Sequence, residues 1–160
     1  MDSPLTTESE TRRFLAEFAR YAKPKTVIET GCHLGHTAHE LSSVLWGHSG
    51  TLYTCDTEPE FVRVTKERCE NMPVIASVMK GTELIQSMTL PIEMAFLDSG
   101  ANMERAKEAV ELIPKMAERF WVFLHDALQA EDPCFQAISE LTGWNTLLLP
   151  YGRGLGMFWR

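Results

Sequence analysis

The segment Val27-Ile28-Glu29-Thr30-Gly31-Cys32-His33-Leu34-Gly35-His36-Thr37 governs how the rest of the chain is read. Thr26, Val27 and Ile28 are β-branched and run as a short strand into Gly31. Ala38, Leu41, Val44 and Leu45 then recur at helical spacing until the stretch from Gly47 to Gly50 ends the stripe. Strand, glycine turn and helix in immediate succession make the first half of a β-α-β unit.

The same alternation extends in both directions. Upstream, Thr7-Glu8-Ser9-Glu10 has the form of a capping box, followed by Phe14, Leu15, Phe18 and Ala22 until Lys23-Pro24 closes the helix. Downstream, residues 52–55 form a strand stopped at Asp56, and Pro59 opens a helix with Phe61, Val64 and Cys69 inward. Residues 74–79 form a strand, 83–88 a short helical turn, and 94–97 a strand ending in Asp98-Ser99-Gly100. Met103, Ala106, Val110 and Ile113 make a core stripe, and residues 120–124 are continuously apolar, as in a strand covered on both faces. Asp132-Pro133 starts a helix with Phe135, Ile138 and Leu141 inward. Residues 146–149 and 157–159 are strands joined by too few residues for a parallel crossover. The expected fold is α/β: a doubly wound, mainly parallel seven-stranded sheet with helices on both faces and a C-terminal antiparallel hairpin. It forms one domain over residues 1–160, with an N-terminal helix in 1–24 and the core in 25–160.

Composition bounds the function. With 160 residues, 44% hydrophobic and 23% charged, the chain reads as one globular domain. A net charge of −7 and no Lys/Arg cluster argue against a nucleic-acid partner. No apolar run is long enough to span a membrane, and Met1-Asp2-Ser3-Pro4 is unlike a secretory leader, so a cytoplasmic location is expected. Cys32, Cys55, Cys69 and Cys134 lack C-x-x-C spacing and read as reduced thiols, although Cys32 and Cys55 fall at neighbouring strand ends.

Open α/β sheets bind ligands outside the carboxyl ends of their strands. Those ends here are Glu29 to Gly35, Asp56, Gly81 to Glu83, Asp98 to Gly100, and His125-Asp126. The first turn is G-x-x-x-G rather than the dinucleotide pattern G-x-G-x-x-G. Its preceding acid, Glu29, suits a zwitterionic or cationic ligand better than a pyrophosphate. Asp56 stands where an acid commonly takes the hydroxyls of a ribose.

From about Thr26 to Asp126 these motifs resemble the class I S-adenosylmethionine-dependent methyltransferases, closest to the catechol O-methyltransferase-like group, and the final hairpin fits that family's reversed last strand. The resemblance implies a Rossmann-like methyltransferase fold with S-adenosyl-L-methionine (SAM) as cofactor. It implies that Glu29, Gly31, His33, Gly35 and Thr37 serve the methionine end of SAM. Asp56 and Thr57 would take the ribose, Gly81, Thr82 and Glu83 the adenine edge, and Asp98 and Ser99 would complete the cofactor set. In metal-dependent relatives the counterparts of Asp98 and Asp126 supply carboxylates to Mg²⁺ or a similar divalent cation. Asp98, His125 and Asp126 are therefore the catalytic candidates, with His125 as a replacement base. The chain departs from the pattern at Ala127, where those relatives carry Asn, and at Ala101, where they carry a lysine base. The helices that cap the acceptor pocket are also nearly missing.

The resemblance implies methyl transfer from SAM to a small-molecule acceptor, at a hydroxyl oxygen. The alternatives are a SAM-binding protein without catalysis, which Ala101 and Ala127 keep open, and an NAD-dependent oxidoreductase. A homo-oligomer is compatible with the sequence. His33, His36 and His39 repeat every three residues like zinc ligands, but read more simply as polar positions of a first helical turn. A Ser99-His125-Asp126 hydrolase triad lacks a G-x-S-x-G elbow, and adjacent side chains on a strand face opposite ways. Trp121, Phe123 and Trp144 read as packing residues. Arg153, in the Tyr151-Gly152-Arg153-Gly154 loop, is placed to meet an anionic substrate.

Overall fold

The computed structural model of the chain describes residues 6–100, 103–128 and 134–160. Ala101, the Asp132-Pro133 helix start and the first four residues lie outside them. In chain order the elements are α1 (Ser9–Ala22), β1 (Thr26–Thr30), α2 (His36–Leu45), β2 (Thr51–Asp56), α3 (Pro59–Arg68), β3 (Val74–Val78), α4 (Gly81–Ser87), β4 (Ile92–Leu97), α5 (Glu104–Leu112), β5 (Met116–His125), α6 (Cys134–Thr142), β6 (Asn145–Leu149) and β7 (Leu155–Trp159). The strands form one seven-stranded sheet in the order β3-β2-β1-β4-β5-β7-β6. The first five are parallel, and β7 runs antiparallel to both β5 and β6. The doubly wound sheet with a terminal hairpin is thus the architecture observed.

Two apolar layers sandwich the sheet. Leu15, Ala38, Leu41, Val27, Phe96 and Phe123 lie in the layer under α1 and α2. Ile28, Leu84, Ala109, Val122, Ile138 and Phe158 lie in the layer under α4, α5 and α6. Val27 and Ile28 are neighbours on one strand yet both are 0% exposed, because β1 is covered on both faces. The strand order reverses between β1 and β4, so the crevice at their carboxyl ends opens where helices leave toward opposite faces.

Several local expectations are corrected. The Thr7–Glu10 capping box does not form: Glu8 is the N-cap residue without a side-chain cap bond. The Thr7 hydroxyl is instead donated to Asp98 at 2.7 Å. On α3 the buried positions are Val62 and Thr65, not Phe61 and Val64. On α5 the face is rotated: Val110 and Ile113 are exposed, whereas Arg105, Ala106, Glu108, Ala109 and Leu112 are buried. Leu141 of α6 is also exposed, and Ile138 carries that helix's contact. Strand β5 is ten residues long and begins at Met116, four residues ahead of the apolar run. His125 and Asp126 do not face opposite ways, because β5 ends at His125 and Asp126 takes a left-handed φ of 57°. All four cysteines are free, buried thiols. Among the described residues, no helix is long and apolar enough to cross a membrane.

Candidate functional site

The β1–α2 turn makes the floor of the site. The Gly31 and Cys32 N–H groups both donate to the Cys55 carbonyl at 2.9 Å, which folds the turn against the end of β2. At Gly31, φ is +83° and a Cβ would stand 2.5 Å from the Asp98 carbonyl oxygen. Only glycine fits there, since both the dihedral and the space exclude a side chain.

Asp56 ties this turn to the next. Its Oδ2 accepts the His33 N–H at 3.0 Å and its Oδ1 accepts the Glu58 N–H at 3.0 Å. Each carboxylate oxygen keeps a lone pair for a ligand hydroxyl. The His33 ring packs edge-on against Phe61 with centroids 4.4 Å apart.

Glu83 accepts the Lys80 N–H at 3.0 Å, so its carboxylate holds the start of α4. Glu108 sits opposite. It accepts the Thr30 hydroxyl at 2.8 Å and the Ser99 hydroxyl, and its Oε1 lies against Gly81, where any Cβ would collide with it. Burial pushes the Glu108 carboxyl up to about 7, against the pull of those two hydroxyl donors. Burial likewise pushes Glu29 up to about 8, opposed by the Thr54 hydroxyl and reinforced by the charges of Asp98 and Asp56.

These turns enclose a cavity of about 510 Å³ at the carboxyl ends of β1, β2, β3 and β4. Gly31, His33, Asp56, Thr57, Gly81, Thr82, Asp98 and Ser99, all candidates from the sequence, line it together. Glu29, Gly35, Thr37 and Glu83 do not. Glu29 is buried and bound by Thr54 at 2.6 Å. A Cβ on Gly35 would meet Thr65. Thr37 faces a second, much smaller cavity, shared with Thr6, Thr7, His36 and Asp98. At about 20 Å³ that space has room for one water. Sequence reasoning missed Phe61, Met79, Glu104 and Glu108 in the main wall. Glu108 lies off the apolar stripe read on α5, and the one local signal is its spacing of three from Arg105, an opposite-charge pair whose burial only the fold reveals.

The end of β5 holds an ion cluster. His125 Nδ1 stands 2.7 Å from Asp98 Oδ1 and 3.3 Å from Asp126 Oδ1. Its Nε2 stands 2.8 Å from Glu8 Oε2. Because β7 starts opposite His125, the β6–β7 turn delivers Arg153 to the same place. Arg153 Nε lies 2.9 Å from Glu8 Oε1 and 3.0 Å from Asp126 Oδ1. Arg105 supports the cluster from beneath, donating to the His125 carbonyl at 2.9 Å with Asp126 Oδ2 at 3.8 Å. Burial alone would lower the His125 pKa, but Asp98, Glu8 and Asp126 together raise it to about 9. Burial would raise Glu8, but His125 and Arg153 hold it down to about 2. Glu8, His125 and Asp126 have one ligand-type atom each within a 4.8 Å span. The residues 33, 36 and 39 form no such group. Ser99 donates to Glu108 and not to His125, so no hydrolase triad assembles.

No protein-family model matches the chain, and no curated protein matches it. Solved structures do. The SAH-bound methyltransferase PaMTH1 of Podospora anserina superposes with a TM-score of 0.80 at 14% identity, over 98% of this chain and 80% of that one. A methyltransferase from Geobacter sulfurreducens gives 0.81 at 17% identity, over 98% and 80%. The O-methyltransferase TomG of Streptomyces achromogenes, solved with SAM, gives 0.78 at 15% identity, over 96% and 81%. The chain therefore has the Rossmann-like fold that these methyltransferase structures share.

Proposed function

We propose that this protein transfers the methyl group of SAM to a hydroxyl oxygen of a small-molecule acceptor. The observation that carries the reading is the cavity of about 510 Å³ at the point where the strand order reverses, with Gly31, Asp56, Gly81-Thr82 and Asp98 in its wall. Laid along that wall, SAM has its methionine portion at the Gly31 turn, its ribose at Asp56 and its adenine at Gly81-Thr82. TomG and PaMTH1, solved with SAM and SAH, support this choice of cofactor.

Methyl transfer is an in-line displacement. The acceptor oxygen bonds to the methyl carbon as the carbon–sulfur bond breaks, the electron pair stays on sulfur, and SAH leaves neutral. The protein's task is to align the oxygen with the methyl group and to take up the hydroxyl proton. Asp98 is the carboxylate that faces both cavities; with Thr7 on Oδ2 and His125 on Oδ1, it has a remaining lone pair on each oxygen to orient the acceptor hydroxyl and receive its proton. His125 lines neither cavity and faces Asp98 and Glu8 through its two ring nitrogens, so it bears on the acceptor through Asp98.

A SAM-binding role without catalysis is the second reading, favoured by the narrow space beside Thr6 and Thr7 on the methionine side. Titration calorimetry with SAM, SAH and NAD comes first: binding of SAM and SAH but not NAD is expected. Binding of NAD alone would return the oxidoreductase reading. SAH release over a panel of hydroxylated acceptors then separates the enzyme from the binding protein.

A further inference from the structure

We infer that the carboxylate cluster at the ends of β4 and β5 carries its own cation: His125 and Arg153 fill the space among Glu8, Asp98 and Asp126, and the cluster takes no divalent metal. Asp98 and Asp126 are the pair that the fold's metal-dependent members lead one to expect as ligands, and in this chain they do not fit that role.

The donor set is the first reason. Asp98 Oδ2 receives the Thr7 hydroxyl at 2.7 Å, and its Oδ1 faces His125 Nδ1 at 2.7 Å. Arg153 Nε gives its N–H to Glu8 Oε1, and its guanidinium pairs by charge with Asp126 Oδ1 at 3.0 Å, an oxygen that accepts no hydrogen bond among the described residues. Position 127, where a third oxygen ligand is expected, is an alanine packed against the apolar layer. A hard cation such as Mg²⁺ wants six oxygens in an octahedron, whereas here both oxygens of Asp98 and of Glu8 are already directed at N–H and O–H donors and a guanidinium stands against Asp126.

The imidazole is the second reason. Glu8 Oε2 and Asp98 Oδ1 lie within 2.8 Å of its two nitrogens. A neutral ring has one N–H and would meet one of these oxygens lone pair to lone pair. Two N–H groups satisfy both, which leaves no nitrogen lone pair for a metal. The ring is 1% exposed, so water does not replace either contact.

Charge is the third. Three carboxylates face the two cations, and the Arg105 guanidinium beside Asp126 brings the cluster to neutrality. A divalent ion would enter without a charge deficit to fill, and would have to displace the Arg153 guanidinium and the buried His125 ring from the carboxylates they face. If the proposed methyl transfer holds, on which this consequence rests, the acceptor needs no two adjacent oxygens to chelate an ion. A molecule with a single hydroxyl then suffices.

The test uses Mn²⁺ as the probe and the free-ion electron paramagnetic resonance signal as the readout, on the full chain. The native protein is expected to leave the signal unchanged at millimolar Mn²⁺. The His125→Ala/Arg153→Ala double variant, which frees three carboxylates, is expected to bind Mn²⁺ at least tenfold more tightly. Stoichiometric binding by the native protein would overturn the inference, and so would a folded double variant as blind to Mn²⁺ as the native chain. If the double variant does not fold, nitrogen-15 resonances of His125 in the native protein decide: both ring nitrogens protonated at pH 7 is expected, and a neutral tautomer overturns it. None of these measurements involves SAM, so failure of SAM to bind in calorimetry would count against the methyl-transfer reading alone.

Discussion

The Glu108 carboxyl on α5 accepts the Thr30 hydroxyl at 2.8 Å across a separation of 78 positions in the chain. Thr30 in turn receives the Asp98 N–H at its carbonyl, at 3.1 Å. With Ser99 donating to the other carboxyl oxygen, one buried acid joins the ends of β1 and β4 under the cavity. Its protonation therefore bears on the stability of the site.

Glu108 has a folded pKa of about 7 against an ordinary 4.5. Between those values the folded protein keeps a proton that the unfolded chain has lost, so stability falls as pH rises through this window. A shift of that size corresponds to about 3 kcal/mol as an upper limit. Glu108→Gln keeps the shape and removes the titration. Urea denaturation should show the variant gaining on the native protein from pH 5 to pH 7 and holding level above about pH 8. A constant difference across this range would contradict the assignment.

Asp56→Ala should weaken SAM binding at least tenfold in calorimetry, since losing a charge-assisted hydrogen bond costs roughly 1.5–3 kcal/mol. Circular dichroism should show the fold retained. An unchanged affinity would remove Asp56 from the ribose site.

Gly31→Ala should cost about 2 kcal/mol or more and abolish SAM binding. The left-handed backbone accounts for part of this. The rest comes from the 2.5 Å approach of the new Cβ to the Asp98 carbonyl, which is backbone and cannot swing away. Thermal unfolding compared with Gly47→Ala, where nothing lies within 4 Å, isolates the effect.

Arg105→Ala should be the most destabilising of these changes, by about 3–5 kcal/mol, because it leaves Asp126 short of a buried counter-charge. Arg105 is 3% exposed, so solvent cannot take its place. Arg105→Met, which restores the aliphatic stem, should recover only part of the loss in urea denaturation.

How far the chain could be read in advance varied with the range of the interaction. Strand β1, the Gly31 turn and the Pro59 helix start were legible because β-branched runs, glycine and proline act on their own backbone. Helix faces were less so. The apolar positions of α5 suggested a stripe through Val110 and Ile113, but partners elsewhere in the chain turn Arg105 and Glu108 inward. Thr7 and Glu10 had the spacing of a capping box, yet Asp98 captures the Thr7 hydroxyl from 91 positions away.

The sequence by itself determined the alternating sheet, its reversed final strand and the small and acidic residues at the strand ends. These follow from periodicity and from connection lengths, which are properties of neighbouring residues. Only the tertiary structure decided what those acids do. Asp98 and Asp126 look alike along the chain, and their chemistry depends on a histidine ring, a turn arginine and a glutamate at the start of α1. Electrostatic partners act through space, and nothing in local spacing records that Glu8, His125 and Arg153 meet.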